Sequence, residues 1–354
     1  MRRVLLLVVG VLVAIGLAFE ATAALNDARR YSPPGSVVRV GEHDLHLHCT
    51  GSGGPTVVLE AGAMAFSTSW QHVQLHLSEL TRTCSYDRAG FGWSTANRRP
   101  PAVDGTAANL RALLREAGEE GPFVVVGHSL GGHHARVFAH RYRGEVVGLV
   151  LVDARHPDAA ARLPTYDADM AAFTNSARIA TVLAWVGVTR IVGDLGGSLA
   201  GLPDDARSAI LARSTTARHW AAVLREIATL EALDASLASR PPFVGLPVLV
   251  MAAGAPSAGE SEETRAAWMA MQEDLATLSD DARLEIVEAS DHLGLLHHPA
   301  HAVAVARGIA TLAAGVATGA RPSTDATLHP FDARQGRTPR FAGSIVTSVP
   351  GGGS

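Results

Sequence analysis

Cysteine is scarce: the 354-residue chain carries two, Cys49 and Cys84, with no CxxC pair and no Cys/His cluster at metal-ligand spacing. That argues against a cysteine-built metal site, while a pair is the fewest that can form a bridge and agrees with an oxidising compartment. The residues alone leave open whether they bridge or sit as two buried thiols packing like small hydrophobes. A basic block is also missing. With 30 basic residues against 34 acidic ones and no stripe of either sign, the chain lacks the charged face that a nucleic-acid binder presents. No internal repeat points to a solenoid or propeller. His43, His46 and His48 lie close together, but on a strand His46 and His48 share one face while His43 points away. No metal or other cofactor is expected.

Apolar material is plentiful: 47% of the residues are hydrophobic, enough to bury the core of one large α/β domain or two small ones. Some of it is concentrated at the start. Met1-Arg2-Arg3 followed by an apolar run from Val4 to Phe19 has the layout of a basic n-region and an h-region, so residues 1–30 are set aside from the fold as a signal peptide or membrane anchor. The run is shorter than the roughly 20 residues that span a bilayer, unless Ala21 to Leu25 extend it and Glu20 reaches the interface. Ala21-Thr22-Ala23 offers a cleavage site, and an uncleaved anchor is the alternative. Either way the catalytic body is expected outside the cytoplasm, exported or held at a membrane. At the other end, residues 315–354 lose apolar periodicity in Gly, Pro, Ser, Thr and Arg and read as a disordered tail.

Between the ends, two short strands at Val37–Val40 and Leu45–Cys49 form a hairpin around Gly41-Glu42. Continuous apolar runs at Thr56–Leu59, Phe123–Val126, Val146–Val152 and Pro247–Met251 read as strands covered on both faces. Helical patterns over Ala107–Glu116, His133–Tyr142, Ser261–Leu278 and Pro299–Ala314 alternate with them. The alternation specifies an α/β fold with a mostly parallel sheet and helices on both faces, occupying residues 31–314. Residues 156–242 show helical patterns without a convincing strand and form a candidate cap.

Ser129 lies at the centre of Gly127-His128-Ser129-Leu130-Gly131, between the valine strand and a helix that opens on small residues. A sharp strand-to-helix elbow that presents Oγ needs glycine two residues before and after, because side chains there would collide across the turn. Serine reacts at neutral pH only when a base removes its proton. His128 and His133 are fixed on the elbow and its helix, out of line with Oγ, and His297, His298 and His301 fit surface or helix-start positions. His292, on the loop after the last strand, is the expected base.

Tyr86-Asp87-Arg88-Ala89-Gly90-Phe91-Gly92-Trp93-Ser94, Gly127 to Gly132, Leu151-Val152-Asp153 and Asp291-His292, in that order, resemble the α/β-hydrolase superfamily over about residues 37–314. The resemblance implies a sheet of about eight strands with a lid after the sixth, where residues 156–242 fall. It also implies an oxyanion hole made by the backbone N–H groups of Leu130 and Ala63. The loop that usually reads His-Gly-X here reads Glu60-Ala61-Gly62-Ala63, a departure that backbone donors tolerate. The acid usually follows the seventh strand, yet Met251 to Ser257 holds no carboxylate. Asp153, at the neighbouring strand tip, is therefore the expected acid, and Glu260 is the alternative, ahead of Glu262 and Glu263, which suit a helix start. Asp87 fits a structural role in its turn. In this fold the second and fourth strands are neighbours, so the resemblance also implies a Cys49–Cys84 disulfide.

The expected function is hydrolysis of a small-molecule carboxylic ester, with membrane association through the N-terminal segment and no nucleic-acid partner. An apolar cap containing Trp185, Ile191 and Leu195 motivates the ester. An amide or peptide hydrolase resembling proline iminopeptidases is the alternative, and a non-catalytic ligand-binding relative is a third reading. Epoxide hydrolases and haloalkane dehalogenases share the fold but place aspartate at the elbow.

Overall fold

The computed structural model describes residues 1–96, 102–194 and 197–319. The chain begins with α1 (Arg2–Arg30) and then enters β1 (Ser36–Val40) and β2 (His43–Thr50), an antiparallel hairpin whose turn places Gly41 at φ +58°. β3 (Thr56–Glu60), α2 (Gln71–Leu77), β4 (Thr83–Tyr86), α3 (Gly105–Glu116), β5 (Phe123–His128), α4 (Gly131–Arg141) and β6 (Val146–Val152) follow. Five helices come next: α5 (Ala159–Arg162), α6 (Tyr166–Ala184), α7 (Val188–Val192), α8 (Asp204–Ser214) and α9 (Ala217–Ala238). β7 (Val248–Ala253), α10 (Glu262–Leu275), β8 (Ala282–Val287), α11 (Gly294–His297) and α12 (Pro299–Thr318) complete the body. The strands form one sheet in the order β1-β2-β4-β3-β5-β6-β7-β8, with β2 alone running against the rest.

Successive side chains of a strand face opposite sides of the sheet, and the valine-rich strands use both faces. Val125, Leu149, Leu151 and Val250 pack with Leu110, Leu113 and Phe138 of α3 and α4, together with Leu230 of α9. Val124, Val126, Val150 and Leu249 pack on the other side with Trp70, Val73, Ile309 and Leu312. Each such aliphatic or aromatic side chain, moved fully out of water, contributes on the order of 1.5–3 kcal/mol. Bare backbone is needed where α12 crosses β6: a Cβ on Gly148 would lie 2.4 Å from Leu312 Cδ2. The helix over Leu312 also corrects the tail boundary at residue 315. α12 runs on to Thr318, because Val316 still packs on the sheet, and Gly319 at φ +66° ends it. The remainder of the predicted tail, residues 320–354, lies outside the described residues.

In the β2–β4 register Cys49 is paired with Cys84, and the two are joined as a disulfide with a Cα–Cα separation of 4.0 Å. The cap helices pack on one another and on the body through a separate apolar cluster that includes Phe66, Phe91, Ile210, Ala222 and Val223.

Candidate active site

The parallel strands β5, β6 and β7 end side by side, and their tips hold the candidate residues. At the end of β5 the chain turns into α4 with Ser129 at φ +54°, a left-handed conformation that costs a non-glycine residue energy. The flanking glycines make the turn sterically feasible. A Cβ on Gly127 would lie 2.3 Å from the carbonyl oxygen of Gly131, and one on Gly131 would lie 2.3 Å from that of Glu60. The Ser129 amide donates to the Val152 carbonyl at 3.1 Å, tying the elbow to β6.

Asp153, directly after β6, is buried and also left-handed, at φ +43°. Its amide donates to Met251 at 2.7 Å, and its Oδ1 accepts from the Ala253 amide at 3.1 Å, which fixes the carboxylate across the tip of β7. Oδ2 accepts from Nδ1–H of His292 at 2.6 Å. Burial by itself would raise the Asp153 carboxyl, but the His292 ring and the Ala253 amide hold it below the ordinary carboxylate range. Trp268 of α10 packs edge-on to the His292 ring at 5.9 Å. His128 brings the His292 loop to the elbow: its Nε2–H donates to the His292 carbonyl at 3.0 Å and the two rings lie 4.5 Å apart. Burial, reinforced by His292, pushes His128 down to about 3, so it stays neutral.

Ala63 and Leu130 flank Ser129 around a cavity of about 150 Å³. Among the described residues neither backbone N–H is spent on a hydrogen bond. The loop carrying Ala63 comes close to the serine, since a Cβ on Gly62 would lie 3.1 Å from Ser129 Cβ. Met170 and Phe173 of α6, and Val223 and Ile227 of α9, complete an apolar wall. Trp185 and Ile191 do not line this cavity. Both are exposed on the surface of the cap, and the fully buried residues of α6 are Ala177 and Ala184. Leu195 lies outside the described residues.

Sequence reasoning passed over the group that shapes the loop. Arg88 is buried and donates to the carbonyls of Ala61 at 2.5 Å and Gly62 at 2.8 Å, while pairing with Glu60 at 2.8 Å and with Glu226 of α9 at 2.5 Å. One guanidinium therefore ties the loop after β3 to the cap. Burial pushes Glu60 up to about 7 against the pull of Arg88. Asp87, next to Arg88, accepts from the amides of Ser67 and Trp93 and meets His46 Nδ1 at 3.0 Å, which locks the turn. Removing Arg88 would leave two carboxylates without their cation, with only the Tyr86 hydroxyl still donating to Glu60, so Arg88→Met is expected to lower stability by about 3–5 kcal/mol. The urea unfolding midpoint of the full chain measures this, with Glu60→Gln added to Arg88→Met recovering part of the loss. A loss below about 1 kcal/mol for the single variant would contradict the clamp.

The other candidates sit apart. Glu260 accepts from the Ser257 amide at 2.8 Å, and Glu262 and Glu263 occupy the first turn of α10. His133 bonds Asp234 at 2.7 Å and His297 bonds the Ser198 carbonyl at 2.8 Å, while His298 and His301 stack on each other at 4.2 Å. Arg155 reaches the cavity but is held by Asp234 at 2.7 Å and by the Tyr166 hydroxyl at 2.9 Å.

The eight-stranded order, the elbow and the strand-tip residues define an α/β hydrolase. A model of the alpha/beta hydrolase family matches residues 45–307, and the chain belongs to that family. Lipase LipV of Mycobacterium tuberculosis is 36% identical over 114 residues, covering 31% of this chain and 41% of that lipase. The chain spans less than half the length of the curated relatives it matches. A thermophilic esterase from Thermogutta terrifontis superposes with a TM-score of 0.55 at 20% identity, covering 78% of this chain and 98% of the esterase. The epoxide hydrolase CorEH gives 0.59 at 18% identity, covering 77% and 96%, so the fold is shared across more than one hydrolytic chemistry.

Proposed function

We propose that the chain is a serine hydrolase that cleaves carboxylic esters through Ser129, His292 and Asp153. The observation that carries this reading is the 2.6 Å bond from His292 Nδ1 to a buried, ionised Asp153 at the strand tip beside the Ser129 elbow. In this mechanism Asp153 keeps the proton on Nδ1, leaving Nε2 free to accept the proton of Ser129 Oγ as it attacks the ester carbonyl. The oxyanion forms against the N–H groups of Leu130 and Ala63, which are oriented before the reaction and need no rearrangement during it. His292 then gives its proton to the leaving alkoxide, and a water attacks the acyl-enzyme by the same route.

Ester is favoured over aminoacyl amide by the charges around the cavity. A substrate with a free ammonium group calls for an uncommitted carboxylate, and Glu226, the acid at this wall, is already paired with Arg88. The N-terminal helix is read as a membrane anchor or export signal with the catalytic body outside the cytoplasm, in keeping with the disulfide. No nucleic-acid partner is proposed. A panel of p-nitrophenyl esters of increasing chain length, run beside aminoacyl p-nitroanilides, tests the order. Ester turnover without anilide turnover is expected, and the reverse would make the chain an amidase.

A further inference from the structure

The strongest feature that the ester reading does not use lies where α1 meets the cap. Arg190 of α7 pairs with Glu20 of α1 at 2.5 Å and also with Asp27. The backbones approach so closely that a Cβ on Gly16 would lie 2.7 Å from Val186 Cβ, and one on Gly187 would lie 2.5 Å from the Phe19 ring. The α6–α7 corner is therefore seated on the anchor helix itself. Around that seat the cap exposes Ile191 by 75%, Val182 by 68%, Trp185 by 63% and Ile179 by 60%.

Helix geometry sets the depth of this seat. An α-helix rises about 1.5 Å per residue, so about 20 residues cross a hydrocarbon core of about 30 Å. With Arg2 and Arg3 held at one headgroup layer, the opposite boundary falls near Thr22 or Ala23. Gly16 then lies about 10 Å inside that boundary and Phe19 about 5 Å inside. Val186 and Gly187, packed on these two residues, are carried into the membrane with them, and so are their neighbours Trp185 and Ile191. Glu20 is the one acidic residue at that depth, and its charge is matched by Arg190.

The same corner is the wall of a second cavity. Ile179, Leu183 and Val192 line a space of about 600 Å³ that extends to Ala63, which also lines the smaller cavity at Ser129. His219 and Trp220 border it, with the ring nitrogens of His219 and Nε1 of Trp220 buried and without a hydrogen-bond partner among the described residues. The space is apolar enough for a hydrocarbon chain and carries polar groups for the head of an ester.

We propose that α1 is retained as an anchor, that the cap corner at Trp185 and Ile191 is embedded in the bilayer surface, and that the larger cavity draws a long-chain lipid ester from the membrane toward Ser129. The substrate class rests on the ester reading above, whereas the docking geometry does not.

The full chain, reconstituted into phosphatidylcholine and phosphatidylglycerol vesicles, allows two measurements. A polarity-sensitive fluorophore on Ile191→Cys is expected to be quenched by shallow spin-labelled lipids. The same fluorophore on Val244→Cys, 80% exposed before β7 at the far end of the sheet, is expected to be unaffected. Equal quenching at the two positions, or none at Ile191, overturns the docking. In the second measurement, Ile191→Asp combined with Trp185→Ser is expected to slow hydrolysis of a long-chain ester dissolved in the vesicles by about tenfold. Hydrolysis of water-soluble p-nitrophenyl acetate stays at the wild-type rate. Unchanged vesicle hydrolysis overturns delivery from the membrane. Failure of the wild type on both esters instead sinks the ester reading, and the quenching result still decides the docking.

Discussion

Ser129→Ala is expected to lower kcat by about 10⁴–10⁶ on any ester the wild type turns over, with the folded state kept. The size follows from what remains. In the proposed mechanism the two unspent N–H groups and the apolar wall would still bind and polarise the carbonyl, but no nucleophile would start an acyl-enzyme. The elbow is held by its flanking glycines, so alanine is expected to inherit the left-handed strain that serine already bears at φ +54°. Thermal unfolding midpoints within about 2 °C of each other would show that the kinetic loss is chemical. A residual kcat within about tenfold of wild type would remove Ser129 from the reaction.

Asp153→Asn is the second large effect, a loss of about 10⁴ in kcat, while Glu260→Gln is expected to stay within about threefold. Asparagine nearly preserves the shape of the site but can turn its amide toward His292, which stabilises the tautomer with the proton on Nε2 and blocks the base. It also withdraws the negative charge that steadies the imidazolium in the transition state. Glu260 has no comparable position, since its carboxylate is occupied by the Ser257 amide. The assay is steady-state hydrolysis of a p-nitrophenyl ester by the three proteins side by side. If the glutamine variant were the crippled one, the acid would move to the loop after β7 and Asp153 would become a structural turn residue.

Local chemistry was legible in the residues themselves. Gly127 and Gly131 announce the elbow because only a missing Cβ lets that turn close, and runs such as Val124–Val126 announce a strand buried on both faces. Absence is legible as well: Met251 to Ser257 holds no acid, which leaves Asp153 on the neighbouring strand as the expected one. Long-range partners were not legible. Glu226 reaches Arg88 across 138 residues of chain, and nothing in the local pattern of α9 distinguishes it from a solvated helix residue. The orientation of Trp185 and Ile191 was not legible for a related reason, because apolar character does not say which side of a cap helix faces the cavity. The tail boundary slipped by a few residues because Ala and Gly near residue 315 read alike in a helix and in a loop, and packing of Val316 decided between them.

The proposed mechanism requires Ser129 to be a nucleophile activated by His292. Reaction of the full chain with a fluorophosphonate, followed by peptide mass analysis, tests it most directly, because stable phosphonylation at neutral pH requires the activated oxygen. A single adduct on the peptide containing Ser129, abolished in Ser129→Ala and strongly slowed in His292→Ala, is the predicted result. Equal labelling of the wild type and Ser129→Ala, or no labelling of either, would contradict it and leave a ligand-binding member of the hydrolase family.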